Sequence, residues 1–181
     1  LDLAADGDLD ISESGLAVRI VGAGRGQTVI DATGLDDRAF DVWEGAVLDL
    51  EGLTILAGEV DGDGAGIRNA GTLILRDVEI AGGKANGDGG GVFNSGTAEL
   101  ESVRLVGNVA LRGGGLANGP GGQLVGDDIE VLGNTAFWPP EYKKNFNGAF
   151  GVGGGVMNWG HMELSRVQVI SNQSDNFGGG I

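Results

Sequence analysis

A four-residue motif, Gly-apolar-X-Asn, returns along the chain at Gly66-Ile67-Arg68-Asn69, Gly91-Val92-Phe93-Asn94, Gly115-Leu116-Ala117-Asn118 and Gly155-Val156-Met157-Asn158, and begins again at Gly180-Ile181. The glycines stand 25, 24, 40 and 25 residues apart. A period of that length marks one small unit repeated, each copy unable to bury its apolar face alone and so obliged to stack on its neighbours. Between the motifs lie two short runs in which apolar residues alternate, such as Leu73 and Leu75 followed by Val78 and Ile80. Period 2 indicates strands with one buried face, and helical periodicity is absent. The expected fold is all-β: a right-handed, single-stranded parallel β-helix, a solenoid of about 25 residues per turn.

Overlaying the turns yields apolar columns: Leu50, Leu75, Leu100, Leu164; Leu53, Val78, Val103, Ile129, Val167; Ile55, Ile80, Leu105, Val131, Val169; and Val42, Ile67, Val92, Leu116, Val156, Ile181. Residues one turn apart in a parallel sheet are about 4.8 Å apart, so these columns would fill the lumen. Outward columns read Glu51, Arg76, Glu101, Asp127 and Thr54, Glu79, Arg104, Glu130. Alternating acid and base favours neighbouring strands only if the turns stack in this register. Two asparagine columns, Asn69, Asn94, Asn118, Asn158 and Asn108, Asn134, Asn172, are expected to form ladders of stacked amides. Asn172-Gln173-Ser174 also matches a glycosylation sequon, weak evidence by itself.

The 38 glycines would suggest disorder, but 41% of the residues are hydrophobic and recur in register, so glycine here marks turns. With 26 acidic against 11 basic residues and a formal charge of -15, the chain lacks the basic surface that nucleic acid requires. No apolar run reaches the 18 residues of a membrane-spanning helix, so membrane insertion is not expected. The absence of cysteine excludes disulfides and thiolate chemistry. One domain over residues 1–181 is expected, with about six turns beginning near residues 7, 40, 65, 90, 114 and 154. The chain starts at Leu1 without Met and stops inside a motif, which reads as two cut ends whose exposed strand edges favour head-to-tail self-association.

Gly89-Gly90-Gly91-Val92-Phe93-Asn94-Ser95-Gly96-Thr97 and Val106-Gly107-Asn108 resemble the glycine-rich repeats of bacterial surface β-helix proteins, the polymorphic outer-membrane and adhesin-like proteins of the pectin-lyase-like fold. The resemblance implies a secreted or cell-surface protein, non-enzymatic, a stalk or adhesin-like module presenting loops to a partner such as a glycan or surface protein. The alternative is a carbohydrate-active or carbohydrate-binding β-helix of the lyase or hydrolase kind. Gly126-Asp127-Asp128 and Gly160-His161 are similar to part of the polygalacturonase signature. Its Asn-Thr-Asp and Arg-Ile-Lys elements are missing, Asp127 falls in a charge column and His161 falls at the position of Thr72 and Thr97. No catalytic residue is assigned.

Two candidate sites remain. Asp61, Asp63 and Asp88, with Asp37 about one turn earlier, place carboxylates near one another at a turn, where calcium bridging them is one reading and solvated Asp-Gly turns the other. No other cofactor is expected. The 40-residue step contains an insertion at 137–150 that holds five of the ten aromatics and two of the three lysines. Trp138, Tyr142, Lys143 and Lys144 are its candidate ligand-binding residues, offering flat faces and positive charge. A loop folded back over the solenoid is the other reading.

Overall fold

A computed structural model describes residues 7–137 and 151–181. The proposed binding residues Trp138, Tyr142, Lys143 and Lys144 lie outside the described residues. The chain is a parallel β-solenoid with coils of about 26 residues. Sheet A stacks the three-residue strands Leu9–Ile11, Phe40–Val42, Ile67–Asn69, Val92–Asn94, Leu116–Asn118 and Val156–Asn158. Sheet B stacks Ala17–Val21, Val47–Leu56, Thr72–Ala81, Thr97–Val106, Gln123–Leu132 and His161–Ile170, with Val29–Asp31 beside the second half of Val47–Leu56. Sheet C stacks the two-residue strands Glu59–Val60, Lys84–Ala85, Val109–Ala110, Thr135–Ala136 and Gln173–Ser174. Every pairing between these strands is parallel. No described helix is long and apolar enough to cross a membrane. The six strands of sheet A bound about five coils, so the six starting positions read from sequence mark rungs, one more than the coils between them.

The long strands of sheet B turn a corner at their middle. Gly52, Asp77, Ser102, Asp128 and Arg166 occupy successive rungs there, with φ of 63°, 52°, 52°, 57° and 49°. A non-glycine residue in this left-handed region costs about 1 kcal/mol, so its recurrence at one column shows that the corner is imposed by packing on both sides. The corner explains why inward residues skip one place: Leu75 and Val78 both point inward with two residues between them. Leu50, Leu53, Ile55, Leu75, Val78 and Ile80 are all fully buried. In the leucine column Gly126 stands between Leu100 and Leu164, and a Cβ there would come within 2.6 Å of Leu164 Cδ2, so the neighbouring leucine fills that space.

The fourth apolar column needs one correction. Phe40, not Val42, pairs with Ile67, while Val42 pairs with Asn69 and Ile11 with Val42. The step from Asp41 to its partner Arg68 is 27 residues, and counting back 25 from Ile67 slips the register by two. Fully buried Val42 therefore stands above the asparagine column and nearly fully buried Phe40 occupies the lumen.

Both asparagine columns are hydrogen-bonded ladders. Asn69 Nδ2 donates to Asn94 Oδ1 at 2.7 Å, Asn94 Nδ2 to Asn118 Oδ1 at 2.7 Å, and Asn118 Nδ2 to Asn158 Oδ1 at 2.8 Å. In the other, Asn108 Nδ2 donates to Asn134 Oδ1 at 3.0 Å and Asn134 Nδ2 to Asn172 Oδ1 at 2.9 Å. Each ladder also satisfies backbone groups: the amide of Gly71 donates to Asn69 Oδ1 in the first, and the amide of Gly83 donates to Asn108 Oδ1 in the second. Five of these residues have no exposure, so losing an amide would strand buried donors and acceptors.

Candidate functional site: the outward face of sheet A

Strand alternation sends the middle residue of each sheet A strand outward. The central column reads Asp10, Asp41, Arg68, Phe93, Ala117, Met157. Along one side run Asp88, Arg112, Val152 and Phe177, joined by parallel bridges. Along the other run Trp43, Ala70, Ser95, Gly119 and Trp159, each donating its backbone N–H to a carbonyl of the neighbouring rung. These columns do not repeat chemically. One end of the face gathers aspartates around Arg38 and Arg68, and the other carries Arg112 between Asp88 and Trp159.

At the aromatic end, Arg112 makes a two-pronged contact with Asp88, Nε to Oδ1 at 2.7 Å and Nη2 to Oδ2 at 2.8 Å. Its guanidinium carbon also lies 4.9 Å from the centroid of the Trp159 ring. To span the strand it crosses Ala117, a small residue that ends with no exposure although it points outward. Beyond, Gly119 has no side chain, and Phe93 Cζ lies 3.0 Å from where its Cβ would stand. Asp88, Phe93, Arg112, Pro120 and Trp159 thereby line a cleft of about 220 Å³. Burial raises the Asp88 pKa, Arg112 acts to lower it, and Asp63 raises it further. Trp159 and Trp43 both remain exposed, at 38% and 49%, at opposite ends of a run of small residues.

At the acidic end, Asp8 directly precedes the strand Leu9–Ile11, Asp10 is that strand's middle residue, and Asp41 lies one rung along from Asp10. Arg38 Nη1 sits 3.5 Å from Asp8 Oδ2, 3.6 Å from Asp37 Oδ1 and 3.2 Å from Asp41 Oδ2, while Arg68 Nη1 reaches the same Asp41 oxygen at 2.7 Å. Burial, with Asp37 and Asp10 nearby, raises the Asp8 pKa to about 6; Arg38 opposes this and Asp41 adds to it.

Of the candidates read from sequence, Asp63 and Asp88 lie on neighbouring rungs, where the amide of Asp88 donates to Asp63 Oδ1 at 2.7 Å, while Asp61 is exposed. The charge of Asp88 is met by Arg112 on the next rung. Asp127 pairs with Arg166 and accepts from Ser165 Oγ at 2.6 Å. His161 contacts Glu163 at 3.0 Å. Since Asp127 is level with Ser165 and His161 is four residues away along that strand, roughly 13 Å separates their positions, and they do not form one site. The described residues on either side of the insertion join the stack at adjacent positions: the Phe137 N–H donates to the Ala110 carbonyl at 2.9 Å and the Gly151 N–H to the Leu111 carbonyl at 2.8 Å. Arg112 is the next residue.

Sequence reasoning missed Arg112 and Trp159, although both could be located from the motif. Asp88 and Arg112 each stand three residues before a motif glycine, and Trp159 directly follows a motif asparagine. It missed Asp41 because the two-residue register slip moved that residue off the outward column. No protein-family model matches the chain, and no curated protein or solved structure is similar enough to it to count as a match.

Proposed function

We propose that this protein is a non-enzymatic, secreted or cell-surface solenoid module, adhesin-like or stalk-like, that presents the outward face of sheet A and the adjoining insertion to a partner. The observation that carries the reading is the location of the irregular residues. Elsewhere side chains follow the stacking register, which accounts for them without a partner. On sheet A the cleft of Asp88, Phe93, Arg112, Pro120 and Trp159 and the point where the insertion joins at Phe137 and Gly151 lie together. Stacked turns with interlocked ladders form a stiff support, and stiffness keeps a binding surface in place at low entropic cost. The bacterial pectin-lyase-like resemblance of the repeats supports the same placement outside the cell.

A second reading, a carbohydrate-binding β-helix, is favoured by the cleft itself. An exposed Trp159 ring braced by a guanidinium, beside a carboxylate and a second ring, offers a flat apolar surface with polar groups at its edge, the combination that a sugar ring takes. Screening the protein against a glycan array and a panel of surface proteins separates the readings. Trp159→Ala, which leaves the lumen untouched, should abolish at least one interaction found. Undiminished binding by that variant, with melting unchanged, would place the recognition surface elsewhere.

A further inference from the structure

We propose that Asp8, Asp10 and Asp41 form a binding site for a hard divalent cation, calcium by preference, on the first two rungs of sheet A. One carboxylate oxygen from each of the three lies within 4.8 Å of the others. Oxygens bound to one calcium ion at 2.3–2.6 Å stand up to about 5 Å apart, whereas magnesium at 2.0–2.1 Å holds them within about 4 Å and demands octahedral order. The fold creates this convergence. Asp8 directly precedes the strand Leu9–Ile11, whose middle residue is Asp10, and parallel pairing sets Asp41 beside Asp10.

A second observation points to a ligand. The Asp41 side chain is 5% exposed, and its Oδ2 takes both arginine contacts. Its Oδ1 is buried with no hydrogen-bond donor among the described residues. Carboxylate lone pairs withdrawn from water without a donor are costly, and a metal ion satisfies them. Arg38 does not fill that role well. Its Nη1 stands 3.2–3.6 Å from three carboxylates, longer than the 2.7–2.9 Å of a good charge-assisted bond, and its Nε is buried without an acceptor among the described residues. Asp8, Asp37 and Asp41 thus share the one Arg38 guanidinium, three carboxylates to a single charge that only Arg68 supplements at Asp41. Backbone carbonyls and water supply the remaining ligands, as calcium sites commonly use.

The test is calcium titration of chelator-treated protein in 0.15 M NaCl, read by calorimetry and by melting temperature. Expected are a saturable heat with submillimolar Kd, a melting temperature raised by several degrees in 5 mM calcium, and a weaker response to magnesium. Asp41→Asn should lose binding but also deprives Arg38 and Arg68 of a partner. Asp10→Asn, which leaves both arginine contacts of Asp41 in place, is therefore the deciding variant and should weaken calcium at least tenfold. Asp63→Asn, at the other acidic row, should bind calcium like the parent. No saturable heat in the parent protein, an unchanged response in Asp10→Asn, or loss of the response in Asp63→Asn instead would each overturn the assignment.

Discussion

The outward faces of sheet A and sheet B are carried by the same rungs, yet they solve stacking differently. Beside the sheet B corner, Arg104 sits between Glu79 at 2.7 Å and Glu130 at 2.9 Å, and on the neighbouring column Arg76 reaches diagonally to Asp49 at 2.8 Å. Each base there is held by acids one rung away, so the side chains are accounted for by the neighbours they stack against. On sheet A the column passes from aspartate through arginine and phenylalanine to alanine and methionine, and the contacts run across columns, Arg112 to Asp88 and to Trp159. A face explained by its own repetition needs no partner. One that departs from repetition on a scaffold that otherwise enforces it carries information of another kind.

The largest expected effect tests the core that both faces share. Leu75→Asp places a charge in a fully buried column and should cost at least about 4 kcal/mol, unfolding the chain, whereas Arg76→Gln on the next residue should barely move the melting temperature. Equal melting of the two variants would remove the inward and outward assignment altogether. Next, Arg112→Ala strips both prongs from Asp88, which is 7% exposed, and should cost about 2 kcal/mol in chemical denaturation. Arg104→Ala on sheet B, whose partners are each partly exposed, should cost only about 0.5–1 kcal/mol. If the order of these two losses is reversed, the contrast between the faces fails in energy, whatever the geometry.

The smallest effect is a dependence on pH. In chelator, with the Asp8 pKa raised from 3.8 to about 6 by burial and by Asp37, Asp10 and Asp41 against Arg38, the protonated form of Asp8 stabilises the fold. That contribution is complete below about pH 3.8 and is lost as pH rises through about 6. Asp8→Asn should accordingly raise the melting temperature at pH 7, with the gain shrinking toward zero as pH falls below 4. A gain of equal size at pH 7 and pH 3.5 would show that the substitution acts through packing alone.

Much of this architecture is legible in the amino-acid sequence, because it rests on translation by a fixed period. Leu75 and Val78 announce two strand halves, and Asn94 and Asn118 announce a ladder, each by recurrence. The features that escape such a reading depend on contacts between columns. The bend at Asp77, Ser102 and Asp128 leaves only a skipped place in the apolar alternation, with no turn residue in common. The stack of Arg112 on Trp159 joins residues 47 positions apart across a small Ala117, and nothing in a period predicts which long side chain leans over which short one. The acidic cluster is hidden for a third reason: its coil runs 27 residues from Asp41 to Arg68, and a fixed count of 25 places Val42 where Phe40 stands.

The asparagine ladders have a direction. In both, each amide donates its Nδ2 hydrogen to the asparagine that follows in sequence and accepts from the one before, so the amide dipoles align along the stack and polarise one another in the same sense. A rung is thus interchangeable with its neighbours at its upper and lower surfaces. The bond from Asn118 to Asn158 is as short as the others although 40 residues separate them, so a coil tolerates an excursion without breaking this chain of dipoles. Such a scaffold can gain or lose whole rungs by gene duplication, and can acquire a new surface by insertion within one rung, as two independent evolutionary variables: the first sets how far the protein reaches, the second what it meets there.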